Sequence, residues 1–594
     1  MNSLFGNWCR SFRRNSLLLV LIILLPIMGI SNPVMAAEGI YASYSALGFS
    51  IPVTTLEKYV KTGVMDGDLA IYEPYFPQQK LQELRQILLE PVKVSPKVAA
   101  QFLYTQQGEF LLRRLAELIK TKSSQLESEF RVLRTAMISA AGEPEGLTLL
   151  SLLRKYPGSI IRIDLAHSLE IIGEVEKLIR ETNQAIALVM QKSNIEATTI
   201  SLENLSRLPD LDAGGKFRSQ KYTIKLSDWT RNRLLLTDVY VPDVQTPAPV
   251  IVISHGLGLD SSNFRYLANH LVGHGFGVIV PNHPPKNSLA NTPVSHGSMI
   301  QVSAPNEFID RPLDIKFILN QLEKKQQSDV RFRGRLNLQQ VGVFGQSLGG
   351  YTALALAGAK INFQQLEQDC QPTALQNTWN MSLLLQCQAL ELKNKSRKYD
   401  KLGDKRVKAA IAVNPITSSI FGKTGISQVK IPVMIVGSSE DTVAPALSEQ
   451  ILPFSWVTHP QKYLVMMIGG THFSTIGNSS SRTQQVPLPT QMVGDADQAR
   501  RYINTLSLPF FQAYVVGRSK YISYLNAGYA KIISCQSLGL SIVQSLTRQE
   551  LTPIIGNGLK QSNFITKKIP FLIVRLGCLI LYFTGSLLDL MRFF

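Results

Sequence analysis

The sequence predicts a doubly wound, mostly parallel α/β sheet, and three observations carry that expectation. Six short apolar runs, PVIVISHG, GFGVIVPNHP, QVGVFGQS, KAAIAVNP, IPVMIVGSS and YLVMMIGG, each stop at Gly, Pro or Ser, as strands buried on both faces of a parallel sheet do. Helical patterns such as NFRYLANHLVGHG and EFIDRPLDIKFILNQLEKK stand between several of them. Strand and helix alternating over about 300 residues calls for crossover connections and hence a parallel sheet with helices on its faces. Finally, YTIKLSDW and RLLLTDVYVP precede the series and alternate like exposed strands.

The 594 residues exceed a domain of roughly 100–200 residues, so appendages are expected around this sheet. A hydrophobic fraction of 45% with 18% charged residues describes a globular chain and excludes a disordered one. The net charge of +18 would suit nucleic acid, an anionic membrane or acidic substrates. The chain has no zinc finger, recognition-helix pattern or basic-aromatic ladder, so nucleic acid is not an expected partner and the charge reads as that of a basic envelope protein.

The N-terminus reads as an export signal over residues 1–36. Arg10, Arg13 and Arg14 precede an apolar run from Leu17 to Met28, about a dozen residues and short for a bilayer span. Val34 and Ala36 suit cleavage after Ala36, with an uncleaved membrane anchor as the other reading. Residues 38–205 read as a helical N-terminal domain, since KLQELRQILLEPV, EFLLRRLAELI and SLEIIGEVEKLIRETNQAIALVM keep apolar residues at helical spacing. The polar stretch SRLPDLDAGGKFRSQ is a linker. The α/β domain is expected over 215–515, interrupted by an insertion at about 360–405 that serves either as a lid or as a surface hairpin.

That insertion carries Cys370 and Cys387. Export would put them in an oxidising compartment, where a disulfide between them is expected. No cysteine forms a CxxC pair, so neither zinc nor thioredoxin-like chemistry is expected, and no metal or organic cofactor is called for. Residues 516–594 read as a basic, apolar extension outside the sheet. Within it PFLIVRLGCLILYFTGSLL, flanked by Lys567 and Lys568, has the length of a membrane span; an interfacial helix and a helix docked on the body are the other readings.

The chemistry centres on Gly345-Gln346-Ser347-Leu348-Gly349-Gly350, directly after the strand QVGVF and before the helical YTALALAGA. A strand-to-helix elbow needs glycines, Gly345 and Gly349, on either side of a serine whose hydroxyl projects above the sheet edge. Of eight histidines only His459 and His472 follow Ser347, and His472 comes straight after an apolar strand, at the sheet edge where ligands bind. His472 is the expected general base. Its carboxylate partner is Asp441 or Glu440 in IVGSSEDTVAP, with Asp441 favoured. An oxyanion needs backbone N–H donors, and Leu348 with Leu257, next to Gly256 in SHGLG, supply them. His255 is expected to brace this loop; His270, His274, His283 and His296 have no assigned partner.

With these residues in hand, VIVISHGLGLDSSNFRYLANHLVGHGFGVIVPNHP, RPLDIKFILNQL and GVFGQSLGGYTA resemble the platelet-activating-factor acetylhydrolase and dienelactone-hydrolase-like branch of the α/β hydrolases. The assembly is similar to cyanobacterial exported hydrolases with an extra helical N-terminal domain. The resemblance covers roughly residues 220–515 and implies ester hydrolysis through an acyl-enzyme, with Ser347, Asp441 and His472 as triad. Dienelactone hydrolases use cysteine where this chain has Ser347. The acetylhydrolases take their acid one strand earlier, where this chain has Asn414 in VNPITSS.

The expected function is therefore a serine-dependent hydrolase of small-molecule or lipid esters. It is expected in the periplasm or secreted, with contact to a membrane surface among the readings. A lipid-binding or scaffold protein on a hydrolase fold, and an acyltransferase or peptidase using the same residues, are the rivals.

Overall fold

A computed structural model describes residues 38–555 apart from 45–46, 66, 68–69, 71–81, 83–84, 87, 90–95, 105, 121–125, 158–159, 285–304, 377, 394–400 and 479–493. The export signal, the apolar 570–588 stretch and His296 lie outside the described residues. Among the described residues the chain divides into two compact units, a smaller one of 38–96 and 115–168 and a larger one of 97–114 and 169–555.

The smaller unit corrects the expectation of a purely helical domain over 38–205. It holds a four-stranded sheet of β1 (Gly39–Tyr44), β2 (Leu47–Pro52), β3 (Ile119–Lys120) and β4 (Ile160–Asp164), in the order β2-β1-β4-β3. The first two form an antiparallel hairpin, whereas β1 and β4 are parallel. These strands are two to six residues long, too short for an alternation to stand out beside the helices α1 (Val53–Thr62), α2 (Leu126–Ala140) and α3 (Leu149–Lys155). In α2, Leu133, Ala136, Met137 and Ala140 recur every three or four residues and are buried, so one helical stripe supplies the core contact.

The larger unit also begins before the expected boundary. It takes most of the long helix α4 (Leu165–Thr198), from residue 169 onward. Its nine-stranded sheet comprises β5 (Ser219–Asp228), β6 (Arg233–Pro242), β7 (Ala248–Ser254), β8 (Gly277–Asn282), β9 (Leu336–Gln346), β10 (Val407–Val413), β11 (Val433–Ser438), β12 (Lys462–Ile468) and β13 (Gly539–Val543). The order is β13-β12-β11-β10-β9-β7-β8-β6-β5. The six apolar runs of the sequence are β7 to β12, and every pairing among these six is parallel.

Period-two geometry explains why these runs are continuously apolar. Along β7, Ile251 and Ile253 face one core, with Phe344, Val413 and the aromatic residues Phe510 and Phe511. Val250 and Val252 face the other, with Val341, Val343, Ile315, Leu319 and Leu322. Helices α5 (Arg265–Gly273) and α6 (Glu307–Ser328) serve opposite faces. The strand β6, expected to alternate, is buried along most of its length.

The domain boundary at 515 is also corrected. β13 pairs antiparallel with β12, so the sheet runs on to residue 543. Its outward edge is covered: the Ile542 N–H donates to Ser193 Oγ of α4 at 3.1 Å, and Lys192 pairs with Glu550 at 2.6 Å. A strand of five residues that begins some 70 residues after β12 gives no periodic signal of its own.

The topology fixes where a ligand can sit. β8 lies on one side of β7 and β9 on the other, so the chain reverses direction across the sheet there. The crevice at the carboxyl ends of β7 and β9 is a topological switch point, where ligands of open α/β sheets bind. The segments leaving those two ends are Ser254-His255-Gly256-Leu257 and Gln346-Ser347-Leu348.

Candidate active site

Ser347 links β9 to helix α7 (Leu348–Leu356) and has φ 56° and ψ −120°, a setting rare for a residue with a side chain. The surroundings enforce it. The Ser347 N–H donates to Val413 O at 2.9 Å, tying the elbow to β10. A Cβ on Gly345 would stand 1.9 Å from Gly349 O, and one on Gly349 would stand 2.0 Å from Ser254 O. Only glycine fits at either place, because the backbones of strand, helix and neighbouring loop touch there. Tyr351 pins the new helix: its ring stacks on Phe421 at 5.0 Å and its hydroxyl donates to Phe308 O at 2.9 Å.

The structure brings His472 and Asp441 together. The His472 Nδ1 lies 2.7 Å from Asp441 Oδ2. Asp441 Oδ1 is occupied by the N–H groups of Val443 and Ala444, at 2.9 and 2.7 Å. A carboxylate held from two sides keeps Nδ1 protonated and leaves Nε2 as the acceptor, which is the tautomer a general base requires. Glu440 is exposed, so of the two acids it is Asp441 that meets the imidazole. His459 accepts from the Gln461 N–H at 3.1 Å in its own loop and takes no part.

His472 is tied to the elbow through its backbone. Gln346 Nε2 donates to His472 O at 3.1 Å, and Asn414 Nδ2 lies 3.3 Å from the same oxygen. The Ser347 hydroxyl makes no hydrogen bond among the described residues. Serine–imidazole contacts commonly tighten only when substrate is bound.

The loop after β7 abuts the elbow: a Cβ on Gly256 would lie 3.4 Å from Ser347 Cβ and 2.4 Å from Gln346 Oε1. Leu348, as the first residue of α7, has an N–H without an intrahelical acceptor. The Leu257 N–H makes no hydrogen bond among the described residues. Two amides beside the serine are thus available to an anion.

His255 braces this loop, the role expected of it; what holds His255 in turn was missed by sequence reasoning. His255 donates from Nδ1 to Gly256 O at 2.8 Å and accepts at Nε2 from the His283 N–H at 3.3 Å. Burial, with Arg311 and His283 beside it, holds its pKa well below the usual imidazole range, so it stays neutral. Arg311, 2% exposed, donates to His255 O at 2.6 Å and to Glu307 at 2.8 Å. His283 bridges Ser254 Oγ at 3.1 Å and Asp314 at 3.2 Å. Asp314 in turn binds Arg233 through both oxygens, at 2.9 and 2.8 Å, and Arg231 at 2.7 Å. The only available signal was the R-x-x-D pattern in RPLDIKF, which placed Arg311 and Asp314 on one helical face.

The insertion is stapled as expected, with a Cys370–Cys387 disulfide. Its helix α8 (Met381–Cys387) reaches the acid loop, where the Ser382 N–H donates to Val443 O at 3.0 Å. Gln386 and Asn380 donate to buried Glu449, at 3.0 and 2.5 Å; Glu449 also accepts from the Thr417 and Ser418 N–H groups. Among the described residues there is no cluster of His, Cys, Asp or Glu able to hold a metal, and no helix long and apolar enough to cross a membrane.

Residues 36–164 match a family described as alpha/beta hydrolase of unknown function (DUF1400), a stretch that lies N-terminal to the nine-stranded sheet. No curated protein matches the chain. Sheet order, elbow and family match agree: the fold is that of an α/β hydrolase.

Proposed function

We propose that the protein is a serine-dependent carboxylic-ester hydrolase that works through an acyl-enzyme. The observation that carries this reading is Ser347 in a left-handed elbow, tied through Gln346 to His472, whose Nδ1 is committed to Asp441. In the reaction His472 Nε2 takes the Ser347 proton as Oγ attacks the ester carbonyl carbon. The carbonyl oxygen becomes an oxyanion facing the Leu257 and Leu348 amides. The intermediate collapses by breaking the C–O bond to the alcohol, which leaves with the proton from Nε2. Water, deprotonated by the same nitrogen, then attacks the acyl-enzyme and releases the acid and free Ser347.

The acetylhydrolase and dienelactone-hydrolase-like resemblance supports esters as the substrate class. The N-terminal signal pattern supports a site of action outside the cytoplasm, and the basic, apolar C-terminal stretch supports contact with a membrane surface. A fluorophosphonate probe tests the chemistry. The wild type is expected to be labelled and Ser347→Ala is not. An unlabelled wild type, beside a control hydrolase that does react, overturns the proposal. A panel of esters of graded acyl length then defines the substrate.

A further inference from the structure

We propose that Gln346 and Asn414 are positioning residues for the base, two side-chain amides that clamp the carbonyl of His472 and so set the spacing between imidazole and serine. The inference rests on the serine-hydrolase reading above and assigns a role to two residues outside the triad.

Both side chains are fully buried. Gln346 immediately precedes Ser347, so its bond to His472 O spans from the nucleophile's own strand to the loop of the base. Asn414 closes β10 with φ 43°, and its N–H is held by Val436 O at 2.7 Å. That left-handed turn, which asparagine tolerates better than most residues, lays the amide across the ends of β11 and β12. There Nδ2 meets Ser438 Oγ at 3.2 Å, Thr471 O at 3.2 Å and His472 O at 3.3 Å. Three acceptors around one nitrogen fix which way the amide faces.

A backbone carbonyl has two acceptor positions; here Gln346 Nε2 faces one and Asn414 Nδ2, whose two hydrogens are shared among three acceptors, faces the other. The imidazole is consequently held at two places, Nδ1 by Asp441 and the main chain by the two amides. With either end loose, the ring could pivot on the other. The arrangement has a cost that points to function: Gln346 Oε1 and Asn414 Oδ1 are buried and make no hydrogen bond among the described residues. Apolar side chains would avoid that cost but would leave the carbonyls of Thr471 and His472 short of donors. Gln346 also presses its oxygen end against Gly256, so one side chain touches both the base loop and the oxyanion loop.

The test uses full-length Gln346→Met, which keeps length and removes the donor, and Asn414→Gly, which keeps the left-handed backbone. Each is read alone, so one variant failing to fold leaves the other decisive. The readouts are the maximal fluorophosphonate labelling rate, the probe concentration that gives half of it, and the thermal midpoint. A displacement of the base by about 1 Å predicts a maximal rate slower by about 100-fold with the half-saturating concentration unchanged. A role confined to satisfying buried carbonyls would lower the thermal midpoint while leaving the maximal rate of the folded protein in place. A folded variant with wild-type maximal rate overturns the inference while the hydrolase reading stands. A wild type that resists the probe overturns both.

Discussion

Replacing Gly345 by alanine puts the elbow geometry to a direct test. The added methyl carbon would sit 1.9 Å from Gly349 O, 2.2 Å from its carbonyl carbon and 2.8 Å from the Gly350 nitrogen. Real Cβ contacts essentially never fall below 3.0 Å, so strand and helix must separate by about 1 Å, and all three obstructing atoms are backbone. Overpacking of this kind costs about 1–3 kcal/mol, and a 1 Å displacement at a reacting centre can cost about 100-fold in rate. Gly214→Ala is the matched control, since nothing lies within 4 Å of a Cβ there. The assay pairs fluorophosphonate labelling rate with thermal unfolding. Gly345→Ala should be slowed by about two orders of magnitude and Gly214→Ala should be unchanged. Wild-type labelling by a folded Gly345→Ala protein would refute the claim that the elbow's shape is what exposes the hydroxyl.

Asp441→Asn should lower ester turnover by about 10³- to 10⁴-fold, because an amide lets the imidazole take the wrong tautomer; turnover within ten-fold of wild type argues against Asp441 as the acid. Removing the Cys370–Cys387 bridge by a double serine substitution should cost about 3 kcal/mol, read as a lower denaturant midpoint; an unchanged midpoint would mean that the insertion's hydrogen bonds, to Glu449 and Val443 among others, hold it without the bridge. His270 titrates at about 4 in the fold, lowered by burial and by His274. The unfolded chain binds its proton at about 6.5, so its contribution is complete above that pH and is lost as pH falls toward 4. The loss amounts to at most about 3 kcal/mol. His270→Gln should flatten the stability profile between pH 6.5 and 4, and parallel profiles would show that the imidazole is not the group responsible.

What the sequence made legible follows from the range of the interactions involved. The parallel strands could be read because each buries both faces, so Val250 to Ile253 had to be apolar at every position. Ser347, Asp441 and His472 could be read because a strand end and a fixed chain order locate them. The small sheet of the first unit could not, since its strands are too brief to show a period. Nor could the groups that hold the site. Arg311 binds a carbonyl 56 residues away and Asn414 one 58 residues away, and neither bond leaves a trace in local pattern. The Asn414 amide contacts His472 through the main chain. His283, without an assigned partner in the sequence, proves to have two.

The covered edge at β13 bears on strand-to-strand pairing between copies of this chain. An open strand is a template for pairing with another chain. At the far side of the sheet β5 carries Lys221 and Lys225, charges that discourage a neighbouring strand. At the near side there is no such charge in Gly539–Val543; protection comes instead from α4, whose Ser193 takes up the Ile542 N–H. A chain cut at residue 515 would bare β12, five of whose seven residues are buried. One lacking α4 would bare β13. Either would offer an apolar ribbon with free amides to its neighbours, so aggregation rather than loss of chemistry is the expected fate of both truncations.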